Sequence, residues 1–224
     1  MFFNKYVIVL VSMMEISISI EPYLGNSQDI LSQYIVDIIK LKQKFALSGK
    51  KISLHFDYFK SNPEVFALVQ GFSNEIDIDL HLMQEPAPSV EGFRSVSYDA
   101  YDVKNGLVNA SLRQIDTGRA GLVLDLGCEI NGIENLIREA AYIIVMTVKC
   151  GKSGQTFQSS ALALVAQVRA LNPHAVIIID GGVNENSINL LKNAKINVAV
   201  VGSYAKKGYE TGEFEFYVNR LLRV

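Results

Sequence analysis

The sequence predicts an α/β chain folded as a closed (β/α)8 TIM barrel, and three observations carry that expectation. Eight short runs rich in β-branched and aliphatic residues recur along the 224 residues. Stretches with helical periodicity or turn signals separate them. Several runs, YIIVMTV, VIIID and VAVVG among them, are apolar on both faces, as buried parallel strands are and half-solvated antiparallel strands are not. Alternation of this kind suits an open doubly wound sheet or a barrel, and eight evenly spaced strands in a chain of this length favour the barrel.

The expected strands are EISISI (15–20), ISLHFD (52–57), IDIDLHLM (76–83), RSVSYDA (94–100), AGLVLDL (120–126), YIIVMTV (142–148), AVIIID (175–180) and VAVVG (198–202). Apolar residues at three- and four-residue spacings predict helices over 27–47, 63–72, 106–115, 133–140, 159–171 and 184–194. Only QEPAPSVEGF, with its two prolines, joins the third strand to the fourth, so that crossover holds a single short helix at most. No repeat, low-complexity tract or linker divides the chain, so 1–224 reads as one domain. Residues 1–13 are expected to precede the first strand as an extension, with Met13 or Met14 close to the start of the barrel proper.

Composition excludes several classes of function. A formal net charge of −2 with both signs interspersed leaves no basic stripe for nucleic acid. The opening MFFNKYVIVLVSMM has one lysine and a short apolar run but no small-residue cleavage site, and no segment reaches the length of a membrane span. Cys128 and Cys150 lie far apart without CxxC spacing, so neither a disulfide framework nor a thiolate zinc site is indicated, and a reducing cytoplasm fits.

The chemistry-bearing residues gather at predicted strand ends. His55 and Asp57 are two apart in ISLHFD and share a face, as do Asp79, His81 and Met83 in the next strand. Asp180 ends AVIIID just before two glycines. Parallel barrels place chemistry at the carboxyl ends of their strands. Imidazole nitrogen and carboxylate oxygen converging there form a ligand set for one divalent ion: iron(II), zinc, manganese or cobalt. Beside that reading stands a plainer one, in which each histidine is a core residue bonded to a neighbouring acid. His174, in the loop ahead of the seventh strand, falls at the opposite end. Asp79 is expected either to orient His81 through its second ring nitrogen or to belong to an interior polar layer.

Three glycine-bearing loops follow strands six, seven and eight: KCGKSGQTF, DGGVNENS and GSYAKKG. Backbone N–H groups freed by glycine after the last strands of such a barrel are a common phosphate cradle, and Lys152 could add charge to it.

On these residues the chain resembles the ribulose-phosphate 3-epimerase family, from the first strand to the eighth, with LHFD, DLHLM, VMTVKCGKSGQTF, IIIDGGVN and VVGS as the most specific pieces. The resemblance implies a TIM barrel of the ribulose-phosphate-binding type and a metal held by His55, Asp57, His81 and Asp180. It implies Asp57 and Asp180 as the catalytic acid and base. It places the substrate on Ser17, His81, Met83, Met146, Gly151, Lys152, Ser153, Gly154, Gly181, Gly182, Gly202 and Ser203. The expected reaction inverts C3 of a ketose phosphate, D-ribulose 5-phosphate to D-xylulose 5-phosphate in the pentose phosphate pathway. The family commonly associates, so a homo-oligomer is the expected state.

The chain departs from the family pattern around this set. Phe59, Lys60 and Ser61 stand where a methionine, an aspartate and a glycine are usual, and SYDAYD stands where the fourth strand usually ends in histidine. Asp125 and Leu126 replace Asn-Pro, and Cys150 to Gly154 replace Pro-Gly-Phe-Gly-Gly. These positions shape walls and lid, so a hexulose-6-phosphate 3-epimerase and a non-catalytic sugar-phosphate-binding paralogue remain alternatives. Related barrels that decarboxylate or cleave aldols carry Asp-x-Lys-x-x-Asp on the third strand, and DIDLHLM lacks that lysine.

Overall fold

All eight expected strands form. They are β1 (Glu15–Ser19), β2 (Ile52–Tyr58), β3 (Ile78–Leu82), β4 (Ser95–Asp99), β5 (Ala120–Leu124), β6 (Tyr142–Met146), β7 (Val176–Asp180) and β8 (Val198–Val201). They close in sequence order into a barrel, each strand parallel to its neighbours and β8 pairing back onto β1. The computed structural model describes residues 14–58, 63–83, 89–105, 118–150 and 154–223.

Because side chains alternate along a strand, each strand serves two cores. The outward set, Ile16, Leu54, Leu80, Val96, Leu122, Ile143 and Ile177 among them, is buried under the surrounding helices. The inward set is divided. Val123, Ile144, Met146, Val148, Ile178, Val198 and Val200 of the β5–β8 side form a separate apolar cluster. The β1–β4 side instead buries Glu15, five serines (Ser17, Ser19, Ser53, Ser95 and Ser97), His55, Asp79 and His81. At the boundary lies Gly121, where a Cβ would sit 2.2 Å from Ser97 Oγ and 3.1 Å from Tyr142 Cβ.

Helices cover the barrel. α1 (Gln28–Ala46) starts at the Ser27 cap, whose side chain accepts from Ile30 N, and buries Leu31, Tyr34, Ile35, Ile38, Ile39 and Phe45 at helical spacing. α2 (Pro63–Gly71), α3 (Ala100–Lys104), α4 (Glu134–Glu139), α5 (Leu162–Leu171) and α6 (Ile188–Asn193) follow. No helix occurs between β3 and β4 among the described residues, and the expected helix over 106–115 lies outside them, as do residues 1–13. Two further helices, α7 (Ser203–Glu210) and α8 (Phe214–Arg223), extend the chain beyond the expected elements. Gly208 lets them approach closely, since a Cβ there would meet Tyr217 Cβ at 2.7 Å. No helix among the described residues is long and apolar enough to cross a membrane.

One buried side chain ties the helix layer to the bottom of the sheet. Asn172, after α5, donates to the carbonyls of Ile137 at 2.8 Å and Ala140 at 3.0 Å, and accepts from Ala175 N at 3.0 Å. The adjoining His174 is exposed, at the end of the barrel expected for it. Asn172→Ala leaves those buried backbone groups unpaired, and an expected loss of about 3 kcal/mol follows from roughly 1–3 kcal/mol per orphaned group. Urea unfolding monitored by circular dichroism measures it.

Candidate metal centre and its cavity

The pleat of β2 turns Ser53, His55 and Asp57 inward at successively higher levels, and β3 does the same for Asp79 and His81. Cross-strand register sets Asp57 beside His81 and His55 beside Asp79. His81 Nδ1 and Asp57 Oδ1 are 2.9 Å apart. His55 Nε2 lies 3.4 Å from Asp57 Oδ1 and 3.6 Å from Asp180 Oδ2, with Asp180 arriving from the end of β7.

His55 is fully buried, and neither of its ring nitrogens has a hydrogen-bond partner. Donor atoms of His55, Asp57 and His81 all lie within 4.8 Å of one another. Orphaned imidazole nitrogens facing carboxylates at that spacing fit a divalent cation, because nitrogen and carboxylate oxygen are the donors such ions take. Asp180 is not part of that group of three, although its Oδ2 lies 3.6 Å from His55 Nε2.

Charges in the cluster push its acids apart. Burial alone would raise the carboxyl of Asp57, but the imidazoles of His55 and His81 reverse this and hold it well below the usual carboxylate range. Burial pushes Asp180 up to about 6, with the charge of Asp57 adding to the shift and His55 opposing it. Burial disfavours charge on His55, yet Asp57, Asp180 and Asp79 together raise it to about 9.

A cavity opens above the cluster. Asp57, His81, Met83, Met146 and Asp180 line it, together with Gly154, Gly181, Gly182, Gly202 and Ser203. Gly181 and Gly182 both take positive φ, at 115° and 64°. A Cβ on Gly181 would sit 2.4 Å from Val148 Cγ2, and one on Gly182 2.4 Å from Phe157 N, so neither position admits a side chain. Thr147 holds the turn, its hydroxyl donating to Asp180 O at 3.0 Å and to Gly181 O. Asn184 Nδ2 donates to Gly182 O at 3.0 Å.

Of the expected site residues, Gly151, Lys152 and Ser153 lie outside the described residues, as do Phe59, Lys60 and Ser61. Ser17 does not line the cavity. It pairs with Ser53, one layer below His55, and is fully buried, whereas Ser19, level with His55, lines the cavity in its place. Asp79 does not orient His81 either: its oxygens are taken by Arg94 and Ser95, which makes it part of an interior polar layer. Glu21, Lys149, Cys150 and Gln155 also line the cavity and were not among the expected residues. Cys150 Sγ donates to Asp125 Oδ1 at 2.8 Å, so two of the positions that depart from the family pattern meet in one wall contact. Burial and the Asp125 carboxylate push the Cys150 thiol up, which keeps it protonated.

Fold and site together define a TIM-barrel protein with a His/Asp cluster at the carboxyl-terminal mouth of its strands. The model of the ribulose-phosphate 3 epimerase family matches residues 61–205, which include His81 and Asp180. The chain belongs to the ribulose-phosphate 3-epimerase family, a family of isomerases. A ribulose-phosphate 3-epimerase of Aquifex aeolicus is 30% identical over 167 residues, covering 67% of this chain and 75% of that protein. One from Bacillus subtilis is 29% identical over 140 residues, covering 58% of this chain and 64% of its own length. Among solved structures, a tryptophan synthase from Mycobacterium tuberculosis superposes with a TM-score of 0.64 at 11% identity, covering 95% of this chain and 93% of that one, a likeness of fold alone.

Gly182→Ala is expected to displace the backbone at Gln155 and Phe157 and to cost about 1–3 kcal/mol, the usual range for overpacking. The shift in the urea midpoint checks it, with Gly154→Ala, where a Cβ meets nothing within 4 Å, separating steric conflict from the strain of positive φ.

Proposed function

We propose that the chain is a metal-dependent epimerase that inverts C3 of a ketose phosphate, D-ribulose 5-phosphate to D-xylulose 5-phosphate, with Asp57 and Asp180 as the proton-transferring pair. The observation that carries the reading is the placement of these two carboxylates. They come from non-adjacent strands, each within 4 Å of His55 Nε2, and both line one cavity with His81.

Inversion beside a carbonyl removes a proton from carbon on one face and returns a proton on the other. A carboxylate on each side of the substrate plane meets that need: one takes the C3 proton as the carbonyl becomes an enediolate, and the other, protonated beforehand, delivers its own proton to the opposite face. The separated acidities suit the exchange, since Asp57 is held ionised while Asp180 sits near the range where it both gives and takes a proton. His55, Asp57, His81 and Asp180 would hold a divalent cation, which would supply positive charge to offset that of the enediolate. Met83 and Met146 give the substrate an apolar, polarizable floor.

The glycine side of the cavity suits the phosphate: Gly181 and Gly182 line it with positive φ, and α7 starts there at Gly202 and Ser203 with the positive end of its dipole. Ser19 is the first-strand hydroxyl available to the substrate.

Proton NMR of ribulose 5-phosphate in deuterium oxide, with protein reloaded in turn with iron(II), zinc, manganese or cobalt, tests the reading. Deuterium at C3 and accumulation of xylulose 5-phosphate are expected, with turnover lost on chelation and restored by metal. Asp57→Asn and Asp180→Asn are each expected to lower kcat by at least about 100-fold, the lower end of general acid–base contributions. Exchange that persists in both variants, or an absence of exchange in protein shown to carry metal, overturns the assignment.

A further inference from the structure

Beneath the cavity, at the amino-terminal end of the barrel, a second charged cluster surrounds Arg94, the residue that leads into β4. Its Nη1 ion-pairs with Glu15 Oε1 of β1 at 2.7 Å and lies 3.7 Å from Asp77 Oδ2. Nη2 donates to Ser53 Oγ of β2 at 3.3 Å. The guanidinium grips Asp79 of β3 through two nitrogens, Nε donating to Oδ1 at 3.0 Å and Nη2 to Oδ2. Ser95 Oγ completes the carboxylate, donating to Oδ1 at 2.6 Å. The side chain of Asp79 is wholly buried, and that of Arg94 is 20% exposed.

The position of Asp79 makes these contacts consequential. It is the cross-strand neighbour of His55 and shares the inward face of β3 with His81. A buried carboxylate there is a natural acceptor for an imidazole N–H, and both nitrogens of His55 lack a hydrogen-bond partner. Asp79 is turned instead to Arg94 and Ser95, its Oδ1 accepting from Nε and Ser95 Oγ and its Oδ2 from Nη2. A two-nitrogen arginine–carboxylate contact is the strong, directional form of the ion pair, and it prevails over a single imidazole N–H.

We propose that Arg94 is a positioning residue for the metal centre: it holds Asp79 away from His55 and His81, leaving their ring nitrogens available to a divalent cation. From below, it also ties the ligand-bearing β2 and β3 to β1 and β4. The inference rests on the reading of the His/Asp cluster as a metal site.

The test is the affinity of the full chain for cobalt(II), by competition with a chromophoric chelator, with the cobalt visible spectrum reporting the ligand set. Asp79→Asn alone is expected to leave affinity within about threefold, because Asp79 touches no ligand nitrogen. Arg94→Met frees a buried carboxylate beside two imidazoles and is expected to weaken binding about 10–100-fold, as changes in groups supporting metal ligands do. Arg94→Met/Asp79→Asn, which removes that carboxylate, is expected to recover affinity and spectrum to within about threefold of the parent. A purely structural role for Arg94 predicts no recovery, so equal losses in the single and double variants overturn the proposal, as does unchanged affinity in Arg94→Met. Should Arg94→Met fail to fold by circular dichroism, Arg94→Lys keeps the charge without the two-nitrogen grip. A loss in Arg94→Lys that Asp79→Asn reverses supports the proposal, and no loss, or one that it leaves in place, overturns it. A parent chain that binds no cobalt(II) instead overturns the metal reading itself, which separates that failure from this one.

Discussion

A closed parallel barrel has no exit for a polar side chain that points at its axis, and His55 is where this constraint bites hardest. Its ring is fully buried with both nitrogens unpartnered, while the carboxylates of Asp57 and Asp180 stand 3.4 and 3.6 Å away. An isolated arrangement of that kind is unfavourable, since buried polar groups cost free energy unless something binds them. The rest of the interior is organised around it: most of its buried polar groups lie on the β1–β4 side, and the β5–β8 side is filled mainly with valine, isoleucine and methionine, with Asp180 of β7 reaching the cluster from across the barrel. The cavity thus has one largely polar wall and one largely apolar wall.

Much of this was legible in the sequence because the barrel imposes strict periodicities. The later strands, covered on both faces, read as continuous apolar runs, the first four as β-rich runs alternating with polar residues, and the two-residue spacing of His55 and Asp57 announced a shared face. Depth within the barrel was less legible. Ser17 and Ser19 share the inward face, and only cross-strand register, which sets Ser17 beside Ser53 and Ser19 beside His55, shows which of them reaches the cavity. The same limit applies to Asp79. Its spacing to His81 is that of an orienting group, but its partner is Arg94, whose role no periodicity predicts because its long side chain reaches across the floor to β1, β2 and β3. The final helices escaped for a different reason: Gly208 weakens the local helical pattern of α7, and its purpose, close packing against Tyr217, exists only in the tertiary structure.

Two of the departures from the family pattern meet in a single contact. Asp125 and Cys150 meet at the cavity wall, where a thiol kept protonated by burial and a neighbouring carboxylate replaces the usual loop residues. This contact lies in the cavity wall, apart from the His55, Asp57 and His81 cluster.

Arg94, at the floor, shows why the His/Asp cluster and the barrel's lower layers are not independent. Every inward residue on β2 and β3 is connected through one pleat, so a carboxylate left free at the level of Asp79 lies beside the imidazole one strand over. A barrel that concentrates acids and histidines on adjacent strands gains a ligand set but also creates internal competition for the imidazole nitrogens. A guanidinium that takes Asp79 through two nitrogens resolves that competition with a contact that a single imidazole N–H cannot match, and the same guanidinium pairs with Glu15. The chemistry at the mouth therefore depends on an ion-pair network at the opposite end of the same strands.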